Sequence, residues 1–249
     1  MSLPRFFCDQ TLETGATIDL EPDTAHYIGR VLRLKAGAEL WLFNGQGGQF
    51  LASLQQNGKA LQAQILSYEP IERELPQRIT VAQGLASGNK MDWITEKSAE
   101  VGVSHLAPIA ARHSVLQLTG ERLTKRVSHW QRVAQSASEQ CGRNRVMGVS
   151  TPQSLEAFLH SLPTDPHRRI IFCDPDASNN LDSALADVAH WPEAELVLLI
   201  GPEGGWSEIE KAQALEAGAF SMRFGERILR TETAAIALVS ACSARLGWL

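Results

Sequence analysis

Long apolar runs are what this chain most plainly lacks. No stretch approaches the roughly 18–20 residues that cross a bilayer; the longest clean one is LVLLI at 196–200. The opening MSLPRFFCDQ has no signal-peptide core, so a cytoplasmic protein with no membrane partner is expected. Cysteine is scarce: Cys8, Cys141, Cys173 and Cys242 are scattered and form no C-x-x-C pair. That argues against a disulfide framework and gives no support to a zinc site. The seven histidines have no ligand spacing, so no metal is expected. Excess positive charge is missing too. The net charge is −5, and a polyanion would have to meet a local basic patch. Neither G-x-x-x-x-G-K-[ST] nor G-x-G-x-x-G occurs, which disfavours a phosphate cradle.

What is present is the balance of a globular protein, 44% hydrophobic and 20% charged over 249 residues. Roughly the first 70 residues have a texture of their own. DTAHYIGRVLRL (23–34) has helical spacing behind an Asp; ELWLF, QFLASL and ALQAQILSY read as short strands separated by NGQGG and QNGK. One helix and several antiparallel strands suggest a small barrel or curled sheet. YEPIERELPQR (68–78) reads as a linker. Beyond it strands alternate with helices. Strands are expected at 79–85, 105–111, 169–174, 195–201 and 220–225, and helices at 89–103 and 122–140. The fold class is therefore α/β, with an open parallel sheet whose strand LVLLI is covered on both faces.

Ligands of such sheets sit beyond the carboxyl ends of the strands. Three strand ends qualify: FCDPDAS (172–178), LIGPEGGWS (199–207) and FGERILRT (224–231). In the second, Gly201, Gly204 and Gly205 let a ligand approach the main chain. Ser207 and Glu210 have capping-box spacing, so a helix starts there. The loop is either a plain strand-to-helix connection or a ligand loop, and Glu203 within it would repel an anion. In the third, Thr231 or Thr233 can cap the last helix, with Glu232 in its favourable first turn. Capping explains the threonines but not Arg227 and Arg230. Between 121 and 145, six arginines and lysines face two glutamates. This is either a solvated helix face or a polyanion patch.

Together these segments resemble the RsmE family of small-subunit ribosomal RNA uridine N3-methyltransferases, of the SPOUT (α/β-knot) superfamily. The resemblance is carried by RFF at 5–7, H-x-x-x-x-VLRLKAG at 26–37, K-x-x-x-x-x-x-KSAEVGV at 90–103, EQCGR at 139–143, LLIGPEGGWS-x-x-E at 198–210 and G-x-RILRTETA at 225–234. Glu226 departs from it, as does Trp206 where Phe is frequent. The resemblance implies a PUA-like RNA-binding domain over 1–72 and a trefoil-knotted SPOUT methyltransferase domain over 73–249. It implies a homodimer that completes each active site at its interface. S-adenosylmethionine is the implied cosubstrate. Its contacts would come from Phe172, Leu199, Ile200, Gly201, Pro202, Glu203, Gly204, Phe224, Gly225, Ile228, Leu229 and Thr233. The implied acceptor is a uridine in the decoding region of small-subunit (16S) ribosomal RNA, free or within the assembled subunit. Arg5, Arg33, Arg143 and Arg227 are the implied RNA contacts.

The chemistry suits these residue types. A sulfonium is cationic and carries no phosphate. Uracil N3 becomes nucleophilic only once its proton leaves, and a guanidinium stabilises the anion as it forms. Arg230 is the expected partner of the uracil or its phosphate, with Arg227 second. Glu232, Glu203 and Glu139 are candidate bases, each needing a raised pKa. A tRNA ribose oxygen as acceptor, a non-catalytic RNA-binding protein on the same fold and a nucleotide-phosphate enzyme are the competing readings.

Overall fold

The computed structural model describes residues 3–58 and 60–249. The chain forms two units. One holds the chain up to Glu74 together with Ser138–Val146; the other holds Leu75–Ala137 and Met147–Leu249.

In the first unit, strands β1 (Arg5–Phe7), β2 (Thr17–Asp19), β3 (Glu39–Phe43), β4 (Gln49–Asn57) and β5 (Ala60–Glu69) build one sheet in the order β1-β3-β4-β5-β2. β1 pairs with β3 in parallel; every other pair is antiparallel. Period-2 alternation sends Phe50, Ala52 and Leu54 of β4 to the same core as Leu40, Leu42, Ala63 and Ile65. A bulge where Leu51 pairs with Ser67 but Ala52 with Ile65 keeps that alternation in phase.

The single helix expected over 23–34 is instead α1 (Pro22–His26) running into a π-helical turn, Tyr27–Val31. It stops because Arg33 turns left-handed at φ 55° and the Leu34 N–H donates to the Ile28 carbonyl at 3.1 Å. The expected linker is shorter than 68–78, since β5 runs to Glu69 and the next strand starts at Arg78.

Residues 138–146 join this unit through a dense polar network. The Arg5 guanidinium donates to the Gly142 and Arg143 carbonyls at 3.2 and 3.0 Å and to Asn144 Oδ1 at 2.7 Å. The Phe7 N–H donates to Glu139 Oε1 at 3.0 Å, and Arg73 Nη1 to the Gly142 carbonyl at 2.9 Å.

The second unit is an all-parallel six-stranded sheet in the order β11-β9-β10-β6-β7-β8. Its strands are β6 (Arg78–Gly84), β7 (His105–Ile109), β8 (Gly148–Val149), β9 (Arg168–Cys173), β10 (Glu195–Ile200) and β11 (Phe220–Met222). Its helices are α2 (Lys90–Glu100), α3 (Gly120–Cys141, whose last turn belongs to the first unit), α4 (Leu155–Ser161), α5 (Leu181–Leu185), α6 (Glu208–Glu216) and α7 (Thr231–Leu246).

Both faces of β10 are buried. Leu196, Leu198 and Ile200 pack with Met91 and Ile94 of α2, Trp130 of α3 and Leu238 of α7. Val197 and Leu199 pack on the other face with Phe158 of α4 and Ala214 of α6. That two-sided burial is why LVLLI contains no polar residue. The chain leaves neighbouring strands β6 and β10 toward opposite faces, into α2 and α6 respectively. Their carboxyl ends therefore frame a topological switch point, where open α/β sheets bind ligands.

Candidate active site

The loop after β10 is pinned from three sides. Beneath it lies Gly84, the last residue of β6: a Cβ there would stand 2.4 Å from Pro202 Cδ and 2.5 Å from Pro202 N. Beside it lies His113. A Cβ on Gly204 would meet His113 Cβ at 2.8 Å, and the Gly204 carbonyl lies 3.1 Å from His113 Nδ1. Gly205, at φ +69°, closes a turn by donating its N–H to the Pro202 carbonyl at 2.9 Å. The third tether is ionic. Glu203 Oε1 accepts from Lys90 Nζ at 2.8 Å, Ser87 Oγ at 2.7 Å and Ser87 N at 3.0 Å. Lys90 also lies 3.7 Å from Glu232 Oε2 in the first turn of α7.

Partial burial alone would raise the Glu203 pKa. The Lys90 ammonium and the Ser87 donors outweigh it and bring the carboxyl down to about 2. Glu203 is therefore an anchor, not the base it was expected to supply: a carboxylate that weakly basic does not take a proton from an imide. Glu139 is equally engaged elsewhere, on the Phe7 N–H of the first unit.

The threonines correct a second expectation. The N-cap of α7 is Arg230, extended at φ −65° and ψ 149°, and no side chain caps the helix. Thr231 is buried one residue inside and its hydroxyl points elsewhere. It donates to the Gly201 carbonyl at 2.6 Å and accepts from Gln83 Nε2 at 2.7 Å. Thr233 is exposed in the first turn. Glu232 does occupy that turn, where the helix dipole favours an acid. The box at Ser207 forms as its spacing implies, with Ser207 Oγ accepting from Glu210 N at 3.3 Å and Glu210 Oε2 from Ser207 N at 2.9 Å. Glu210 also takes the Arg112 N–H at 2.9 Å, tying the segment after β7 to the start of α6.

Other expected residues divide by exposure. Phe172, Leu199 and Ile200 are buried in the core, so what they offer a ligand is main chain. Pro202 is buried, Gly201, Phe224 and Leu229 are half-buried, and Gly204 and Gly225 are exposed at turns. Ile228 is 86% exposed. Arg227 and Arg230 are exposed and form no ion pair among the described residues. Glu226 is partnered by Arg223 at 3.0 Å, which accounts for an acid at that loop.

In the first unit, Arg33 is exposed and Arg5 is held by its carbonyl network. Arg143 corrects a third expectation. Its side chain is 5% exposed and forked onto Glu74, with Nε donating to Oε1 at 2.9 Å. It braces 138–146 and is not presented to RNA. Gln83, Ser87, Lys90 and His113 were not picked out as site residues, although Lys90 opens one of the quoted motifs.

Comparison with known proteins agrees with this geometry. Residues 73–243 match the RNA methyltransferase domain family and residues 20–66 the RNA methyltransferase PUA domain. A ribosomal RNA small subunit methyltransferase E from Synechocystis is 30% identical over 88% of this chain and 70% of its own. The crystal structure of one from Neisseria gonorrhoeae, bound to S-adenosyl methionine, is 33% identical over 98% of both chains with a TM-score of 0.87. A Legionella pneumophila methyltransferase in complex with bound SAM is 29% identical over 98% of both chains, with a TM-score of 0.89. The match over most of its length makes this chain a member of the ribosomal RNA small subunit methyltransferase E family of RNA methyltransferases.

Proposed function

We propose that this protein transfers the methyl group of S-adenosylmethionine to N3 of one uridine in the decoding region of 16S ribosomal RNA. The observation that carries the reading is the rigid glycine loop at the β6–β10 switch point, with an unpaired Arg230 at its rim and an ionised Glu203 on its flank. Main chain at Gly201–Gly204 and Phe224–Leu229 suits an adenosine, which needs close backbone donors and acceptors. Lys90, Glu203 and Glu232 together carry one net negative charge when ionised, which favours a sulfonium and disfavours a polyphosphate.

The uracil N3–H bond breaks first, leaving an anion spread over N3 and two carbonyl oxygens. Arg230 stabilises that charge. Glu232 is the carboxylate left to receive the proton, since Glu203 and Glu139 serve as anchors. The N3 lone pair then forms the new N–C bond as the C–S bond breaks, in line, so much of the catalysis is positioning. The products are N3-methyluridine and S-adenosylhomocysteine.

The same reading includes a trefoil knot around the loop, a homodimer, a cytoplasmic site of action and RNA contacts by Arg5, Arg33 and Arg227. The domain division it uses is 1–72 and 73–249. The test is methyl transfer from labelled S-adenosylmethionine to undermodified small subunits and to naked RNA, with mass mapping of the product. Label on a uridine ring nitrogen, lost in Arg230→Ala while cosubstrate binding persists, supports it. Label on a ribose oxygen, or none at all, refutes it.

A further inference from the structure

Gln83 is the fully buried residue before the end of β6, 0% exposed. Its Nε2 donates to Thr231 Oγ1 at 2.7 Å and to the Gly84 carbonyl at 3.0 Å, and lies 3.5 Å from the Gly201 carbonyl. Its Oε1 is buried without a hydrogen-bond partner among the described residues. An apolar side chain of the same volume would avoid that orphaned acceptor, so the amide is a poor choice for stability alone.

What the amide does provide is direction. An NH₂ group can only donate, so it occupies a lone pair of the Thr231 hydroxyl. The single hydroxyl proton is then committed to the Gly201 carbonyl, which it meets at 2.6 Å. The Gly201 carbonyl is held inward, and the peptide that leads into Pro202 is fixed with it. Three segments distant in sequence are joined by two hydrogen bonds: the end of β6, the loop after β10 and the first turn of α7.

We propose that Gln83 is a positioning residue for the cosubstrate: acting through Thr231, it sets the orientation of the Gly201 peptide and so the shape of the adenosine-binding loop. This rests on the reading that the loop holds S-adenosylmethionine. Gln83 touches no reacting atom; its effect belongs to cosubstrate binding, not to the chemical step.

The experiment measures S-adenosylmethionine binding by titration calorimetry, the thermal midpoint of the cosubstrate-free protein, and kcat and KM. It uses wild type, Gln83→Met, Thr231→Val, Thr231→Ser and the Gln83→Met/Thr231→Val double variant. Gln83→Met and Thr231→Val are each expected to raise Kd and KM for S-adenosylmethionine about tenfold, the scale of one hydrogen bond, with kcat little changed. The double variant should be no worse than either single one, because both break one linkage. Thr231→Ser keeps the hydroxyl and should bind as wild type does. The midpoint without cosubstrate should move by no more than about 3 °C, since Gln83→Met also removes the orphaned oxygen.

Wild-type protein that does not bind S-adenosylmethionine overturns the underlying reading. Wild-type binding with equal affinity in Gln83→Met and Thr231→Val overturns the latch alone. An affinity loss matched by a large fall in the cosubstrate-free midpoint makes Gln83 a merely structural residue and also overturns it.

Discussion

The contact between Gly84 and Pro202 gives the sharpest test of the loop. An alanine Cβ at position 84 would lie 2.4–2.5 Å from Pro202 Cδ and N, where ordinary contact begins near 3.4 Å, a shortfall of about 1 Å. One of the two segments must retreat. β6 cannot do so cheaply, because it is hydrogen-bonded between β10 and β7. The loop therefore moves. Overpacking of this kind costs about 1–3 kcal/mol, which in a chain of this size lowers the thermal midpoint by about 3–10 °C. The effect on function is larger, since a displacement of about 1 Å in a positioned site costs on the order of 100-fold in rate. Gly84→Ala should thus fold, melt somewhat earlier, and lose about 100-fold in kcat/KM for S-adenosylmethionine. Gly29→Ala, where a Cβ meets nothing within 4 Å and φ is not positive, is the matched control and should match wild type. Wild-type cosubstrate kinetics in Gly84→Ala would refute the reasoning, because the clash involves backbone that no rotamer change relieves.

Further outcomes follow from the same geometry. Arg143→Met should destabilise the protein by about 3 kcal/mol, the scale of a broken buried ion pair, without changing the salt dependence of RNA binding; a shallower salt slope would restore Arg143 as a phosphate contact. The Glu203 carboxyl titrates at about 2, below its ordinary 4.5. Its stabilising contribution is therefore complete above about pH 4.5 and is lost as pH falls toward 2. The difference in midpoint between wild type and Glu203→Gln should stay flat from pH 8 to 5 and shrink only below that; a change near neutrality would contradict the anchor. Burial pushes the Cys173 and Cys242 thiols up to about 12. Mass spectrometry after alkylation at pH 7.5 should leave both unmodified in the folded protein and label both after denaturation.

Local pattern carried the parts of this molecule that local physics decides. LVLLI announced a strand covered on both faces because two-sided burial leaves no room for a polar residue. S-x-x-E at 207–210 announced a helix start because both partners of the box lie within one turn. The failures share the opposite property. Thr231 is an acceptable cap by type, but its hydroxyl is taken by Gln83, 148 residues away, and by Gly201, 30 residues away. Arg143 counted toward a basic patch until Glu74, 69 residues earlier, accounted for its charge. Glu203 was a candidate base by residue type; Lys90, 113 residues earlier, makes it an anchor. Each error came from assigning a polar side chain to solvent or ligand when a partner from a distant strand end had already claimed it.

The choice between a nucleotide-phosphate loop and a sulfonium loop turns on charge. A glycine-rich strand-to-helix connection can serve either, and the backbone alone does not decide. In a phosphate cradle the flanking charge is a lysine directed at the ligand. Here the nearby lysine, Lys90, is directed at Glu203 and Glu232. The hydrogen bond from Glu203 raises the Lys90 pKa, and Lys90 in turn holds Glu203 ionised. Neither group changes charge across the pH range in which such a protein works. The flank therefore stays net negative when Glu232 is ionised as well, and a polyphosphate would be repelled at close range where solvent screening is weakest. Removing Lys90 should not create a phosphate site. Lys90→Met leaves two carboxylates unpaired and frees the loop, so it should weaken S-adenosylmethionine binding while ATP still fails to bind. ATP binding to either protein at micromolar concentration would mean that the loop was read with the wrong sign.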